Sequence, residues 1–250
     1  MVHGAFCGGW AFERFRVPFE SAGHAVVALD LPGHGADAAR GTVTGTSMSA
    51  YARSVREAID AQPAPPVLIG HSLGGLVAQM AASRSRVAGL ILLAPSSPWG
   101  VPGSTAEEAI SAVALYALGP YWALAVDPDY PSARRYLFDR LAKDERRAMF
   151  KRLTPESGRA LWETLNWWLD PFATTLVPAG GVAAPILAIA GGKDGIHPAA
   201  TVRAIAQRIG GETQVFKDMS HWLVGEPGWE DVAGACLDWI GALTARHAAA

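Results

Sequence analysis

A chain of 250 residues, half of them hydrophobic and with a formal net charge of −2, can bury one large core or two small ones. The near-neutral balance leaves no basic stripe for nucleic acid or an anionic membrane, and the longest apolar run, Val87 to Pro95, is too short to span a bilayer. Cys7 and Cys236 make no disulfide framework, and the opening Met1-Val2-His3-Gly4 has no basic or apolar leader; the chain reads as cytoplasmic, a monomer or homodimer, with no nucleic-acid and no membrane partner.

In chain order, His3-Gly4 looks like the turn after a strand, yet only Met1-Val2 precede it. Two residues pair poorly in mid-sheet, because neighbouring backbone groups go without partners. The expectation is either a stub with compensating contacts or, preferred, further residues upstream. Ala25 to Leu29, bounded by Gly23 and Pro32-Gly33, reads as a buried strand, and Ala50 to Ala61 as a helix. Strand patterns follow at Val67 to Gly70, Val87 to Leu93, Ile186 to Ala190 and Thr213 to Phe216. Helical patterns occupy Leu73 to Ser83, Pro198 to Ile209 and Trp229 to Leu243, and Arg246 to Ala250 reads as a frayed end. Apolar strands alternating with helices imply an α/β fold: a mostly parallel sheet covered by helices on both faces.

Residues 97–183 break this rhythm with helical stretches punctuated by prolines and no good strand. The expected division is a core of 1–96 and 184–250 carrying a helical cap of 97–183. The segment holds Trp99, Trp122, Trp162, Trp167 and Trp168 and the tyrosines 116, 121, 130 and 136. Most of these aromatics would form the insertion's own core. Trp99, Trp122 and Trp167, with Trp222 from the core, are candidates for the wall of an apolar substrate pocket.

Gly70-His71-Ser72-Leu73-Gly74 matches Gly-x-Ser-x-Gly between a strand and a helix. Such a turn is too sharp for a Cβ at either glycine, and it lifts a strained serine above the sheet edge. A serine hydroxyl needs a base. His221, after the last strand in Asp218-Met219-Ser220-His221-Trp222, satisfies the chain order nucleophile, acid, base. Asp194, on the loop after the Ile186 strand, is the acid that would orient the imidazole; Asp218 is the rival, but lies only three residues before the base. The oxyanion needs two backbone N–H donors, assigned to Leu73 and to Phe6 in the glycine-rich loop His3 to Trp10. His71 would pack under the turn, and His24, His34, His197 and His247 are expected at solvent. The histidines show no metal-ligand spacing, and Gly191-Gly192-Lys193 is no phosphate loop, so neither metal nor other cofactor is expected.

His3-Gly4 with Trp10, the run Leu29 to Gly35, Gly70 to Gly75, Asp194 and His221 together resemble the α/β-hydrolase superfamily, over almost the whole chain outside the insertion. The resemblance implies a mostly parallel sheet, a Ser-Asp-His triad and a helical cap before the seventh strand. The opening His3 to Trp10 is similar to plant methyl esterases and their relatives the hydroxynitrile lyases. Those lyases typically carry a lysine after the catalytic histidine and a threonine in the oxyanion loop, where Trp222 and Ala5 stand here; this favours ester hydrolysis over cyanohydrin cleavage. Relatives that cleave epoxides or carbon–halogen bonds use an aspartate in place of Ser72. At the N-terminus the pattern departs, since family members have a full strand before His-Gly. The implied activity is cleavage of a small, largely apolar carboxylic ester through an acyl-enzyme. A lactonase, thioesterase or C–C hydrolase would use the same triad, and a ligand-binding receptor on a hydrolase scaffold is the reading from another class.

Overall fold

The computed structural model describes residues 1–35, 38, 43–104 and 115–248, and side chains among these except at 115, 117 and 246–248. Four strands, β1 (Val67–His71), β2 (Gly89–Leu93), β5 (Ile186–Gly191) and β6 (Glu212–Phe216), form one sheet in the order β1-β2-β5-β6. All three pairings are parallel, with Val67 opposite Gly89, Leu90 opposite Ile186 and Leu187 opposite Glu212. A two-stranded antiparallel pair, β3 (Ala125–Val126) with β4 (Glu156–Ser157), lies within the insertion.

β1, β2 and β5 carry apolar residues on both faces, as a doubly covered sheet requires, while the edge strand β6 opens with Glu212, Thr213 and Gln214 and is only partly buried. Leu68, Leu90, Leu92, Ile186 and Ala188 face one core with residues of α2 (Met48–Asp60), α3 (Leu73–Ala82) and α6 (Ala199–Ile209). Ile69, Ile91, Leu93, Leu187 and Ile189 face the other, against α1 (Glu13–Ser21) and α7 (Trp229–Ala248). Two further helices, α4 (Lys143–Phe150) and α5 (Gly158–Leu165), lie within residues 97–183. Ser47 starts α2 by accepting from the Ala50 amide at 3.1 Å, and Gly210, at φ 79, ends α6 in the left-handed conformation that glycine tolerates best.

The opening residues take the stub's part. Val2 bridges Leu29 on one side and Gly70 on the other, both parallel. Its N–H donates to Ile69 O at 2.8 Å, its carbonyl accepts from His71 N at 3.0 Å, and Leu29 N donates to Met1 O at 3.0 Å. The chain's amino group donates to Val27 O at 2.6 Å. Of Ala25 to Leu29, expected as a buried strand, only Leu29 bridges; residues 25–28 have no ladder pairing and Val27 is 50% exposed. Beyond Met1, between residues 24–29 and 66–69, lies a cavity of about 200 Å³. Counted along the chain, the 97–183 segment precedes the fifth sheet-forming segment among the described residues rather than the seventh. Residues 249–250 of the expected tail, and the His247 side chain, lie outside the described residues.

Candidate active site

Ser72 sits between β1 and α3 at φ 54 and ψ −124, a conformation non-glycine residues rarely adopt. Its amide donates to Leu93 O and its carbonyl accepts from Ser96 N, both at 3.0 Å, so the strain is held from β2 and the turn after it. A Cβ at Gly70 would run into the Gly74 carbonyl and Ala78, and one at Gly74 into the His3 and Val2 carbonyls. Both glycines are thus required by close backbone approach. The Leu73 amide opens α3, where the first N–H groups have no helical partner.

His221 Nδ1 donates to Asp194 Oδ2 at 2.9 Å, both residues being buried. With Nδ1 carrying the proton, Nε2 keeps the lone pair a base needs. The other oxygen, Asp194 Oδ1, accepts from the Ile196 and His197 amides at 2.7 and 2.9 Å. Burial alone would push the Asp194 carboxyl up, but the His221 and His197 groups beside it outweigh that and hold it below the ordinary value. Asp218, the rival, is exposed and pairs with Lys193 Nζ at 2.9 Å. His71 Nε2 donates to the His221 carbonyl at 2.9 Å, and the two rings lie 5.0 Å apart. Burial brings the His71 pKa down to about 3, so this ring is a neutral strut under His221. The Ser72 hydroxyl and the His221 ring are not hydrogen-bonded to each other in this arrangement; such a link often tightens only around substrate.

The first loop departs from expectation. The Phe6 amide donates to Glu156 Oε2 at 3.2 Å. An N–H spent on a buried carboxylate is not available to an oxyanion, so Phe6 is corrected as a donor. Ala5, one residue earlier, has no hydrogen-bond partner for its amide among the described residues. Its neighbour Gly4 runs against Ser72: a Cβ there would lie 3.0 Å from Ser72 Cβ.

A model of the alpha/beta hydrolase family matches residues 1–235. The chain belongs to that family. Within it, the chain is similar to a rice esterase of Oryza sativa subsp. japonica, 37% identical over 39% of this chain and 38% of the relative. It is also similar to methylesterase 3 of Arabidopsis thaliana, 35% identical over 32% of each chain, and to salicylic acid-binding protein 2 of Nicotiana tabacum, 32% identical over 42% of each. The matched stretches thus span well under half of these relatives' length. Among solved structures, an Arabidopsis methylesterase superposes with a TM-score of 0.70 at 19% identity, covering 96% of this chain and 97% of that one. Tomato methylketone synthase I superposes at 0.71 and 17% identity, covering 97% and 96%. At those identities the likeness is one of fold.

Other expected residues of this alpha/beta hydrolase fall differently. Trp122 is 43% exposed and meets Tyr116 and Tyr121 edge to face. Trp222 is buried among Trp10, His71 and Phe138, which makes it part of the core. Trp99 and Trp167 meet edge to face at 5.6 Å within the insertion. His34 and His197, expected at solvent, are both buried: His34 bonds Glu156 at 3.2 Å, and His197 Nε2 bonds the Ser96 hydroxyl at 2.9 Å. No motif around Glu156 or Ser96 advertises these partners, which lie 122 and 101 residues away. Among the described residues no group of three or more His, Cys, Asp or Glu side chains is arranged to hold a metal, and no helix is long and apolar enough to cross a membrane.

Proposed function

We propose that the chain is a carboxylic ester hydrolase working through an acyl-enzyme on Ser72. The observation that carries this reading is the 2.9 Å bond from His221 Nδ1 to buried Asp194, taken with Ser72 held in a strained turn between β1 and α3. In the proposed cycle Ser72 Oγ attacks the ester carbonyl while His221 Nε2 takes its proton. The same imidazolium then protonates the departing alcohol. Water, deprotonated by His221, resolves the acyl-enzyme. Asp194 stabilises the imidazolium through the Oδ2 bond. The Leu73 and Ala5 amides are the proposed oxyanion donors. The names of the similar proteins, esterase and methylesterase, support a small ester as substrate, with residues 97–183 as its cap.

A fluorophosphonate probe tests the assignment without knowledge of the natural ester. Labelling that maps to Ser72, blocked in Ser72→Ala together with a loss of at least about a thousandfold in hydrolysis of p-nitrophenyl acylates, is the expected result. A folded wild-type protein that neither labels nor turns over these esters overturns the reading and favours a binder on a hydrolase scaffold.

A further inference from the structure

Residue 6 is gripped twice by the insertion. The Thr154 amide donates to Phe6 O at 2.9 Å, and the Phe6 amide donates to Glu156 Oε2 at 3.2 Å. Phe6 itself sits at φ 64, in the left-handed region, which a residue with a Cβ holds only when its surroundings insist. Its side chain packs against the cluster of Tyr121, Val126 and Leu161, all from the insertion. The turn that precedes it, Gly4-Ala5, is the stretch running past Ser72.

Glu156 is fully buried and accepts from four donors. Besides Phe6, these are the Tyr51 hydroxyl at 2.6 Å, the Ser157 amide at 2.8 Å and His34 Nε2 at 3.2 Å. Because His34 Nδ1 also faces an acceptor, Pro32 O at 3.3 Å, the ring donates from both nitrogens. An ionised carboxylate is an acceptor only, with room for about four hydrogen bonds, and here all are used. The donors come from the first loop, the loop after Leu31, helix α2 and the insertion's own β4. That convergence joins three parts of the core to the insertion at one side chain, next to the loop the oxyanion must meet.

We propose that Glu156 is a positioning residue for the oxyanion hole. Its carboxylate locks the left-handed turn at Phe6, sets the direction of the Ala5 amide beside Ser72, and makes acyl transfer depend on the insertion being seated. The inference rests on the Ser72 acyl-enzyme reading. It requires a carboxylate, not merely a side chain of that size. An amide at 156 would turn an NH2 group toward either Phe6 N–H and His34 or Tyr51 and Ser157, setting donor against donor.

The test compares full-length wild type, Glu156→Gln and Tyr51→Phe on a p-nitrophenyl acylate. It adds inhibition by a trifluoromethyl ketone, whose serine adduct carries an oxyanion, and by the product carboxylic acid, which does not. Glu156→Gln should lower kcat by about 30-fold or more with KM within about threefold. Affinity for the trifluoromethyl ketone should fall by the same factor as kcat/KM, and affinity for the product acid should hold. Tyr51→Phe, which leaves the Phe6 bond in place but loosens the carboxylate, should show the same pattern at about three- to tenfold. It decides the matter should Glu156→Gln fail to fold. The proposal is overturned if the folded variants keep kcat within about 1.5-fold, or if KM rises with kcat unchanged. It also fails if ketone and product acid weaken equally, as a loose fold would give. Wild type that does not label at Ser72 defeats the underlying reading; wild type that labels, with variants equal to it, defeats only this one.

Discussion

Asp194 spends both oxygens on three donors, and in the proposed cycle only one of those bonds takes part in the chemistry. Oδ1 is occupied by the Ile196 and His197 amides, which fix the carboxylate's orientation; Oδ2 is left for His221. Asp194→Asn should therefore keep the fold while presenting an amide NH2 where Nδ1–H must donate, or swapping that clash onto the two loop amides. The useful tautomer is disfavoured, and steady-state assays on an aryl ester should show kcat down by about a thousandfold or more. Retention of a tenth of the activity would assign the orienting role elsewhere. At this scale the strained turn at Ser72 and the pairing of Asp194 with His221 were legible because each residue stands in a local pattern: a glycine-flanked turn, a loop after a strand, a histidine after the last strand. For His71 only its packing under the turn was, and the roles of His34 and Glu156 were not. Their partners His221, Glu156 and Phe6 are 150, 122 and 150 residues away, and nothing in the flanking sequence specifies such a distance.

Between residue and molecule stands the strand–turn–helix unit of β1, Ser72 and α3. Its glycines serve close approach, and the chain offers its own control. Gly74→Ala would drive a Cβ into the His3 and Val2 carbonyls, which are backbone and cannot swing aside. The expected cost is about 2–3 kcal/mol, read as a lower denaturant midpoint, with activity falling as the turn shifts. Gly241 lies inside α7, and a Cβ there meets nothing within 4 Å. Gly241→Ala should stabilise by up to about 1 kcal/mol through helix propensity. Equal effects from the two substitutions would mean the turn is looser than drawn.

For the whole molecule the question is how the 97–183 segment stays on the sheet. Besides Glu156, Glu163 of α5 accepts from the Met48 amide at 2.7 Å, and Arg152 bonds Glu13 while its guanidinium lies 4.4 Å over the Trp10 ring. One contact works against the fold. Glu226, after the base, accepts from the Ser220 amide at 2.6 Å, yet its Oε2 is buried without a partner. Burial, opposed by that amide and aided by nearby Asp139, pushes its pKa up to about 7. The folded state thus binds the proton more tightly than the unfolded chain, whose glutamate titrates near 4.5. Below that value the group contributes nothing to the pH dependence; as pH rises from about 4.5 through 7 its contribution turns unfavourable. Glu226→Gln keeps an acceptor for Ser220 and removes the titration. It should raise stability at pH 8 by on the order of 2 kcal/mol relative to its effect at pH 4, measured by denaturant melts at both values. An unchanged pH profile would sink the assignment.

What the sequence alone determined is the part written in short periods. Runs such as Leu90 to Leu93 are apolar at every position because both faces are covered, and Gly70-x-Ser72-x-Gly74 demands its turn from sterics within five residues. From these the parallel sheet follows, and with it the three side chains proposed to react. Tertiary structure decided the rest: that Met1-Val2 wedge between Leu29 and Gly70, that Phe6 gives its amide to Glu156, and that Trp222 packs inward while Trp122 stays exposed. Each depends on where one packed element meets another. Such docking is settled by the shape and hydrogen-bond needs of the finished core, since a buried donor or acceptor must find a partner wherever in the chain that partner lies.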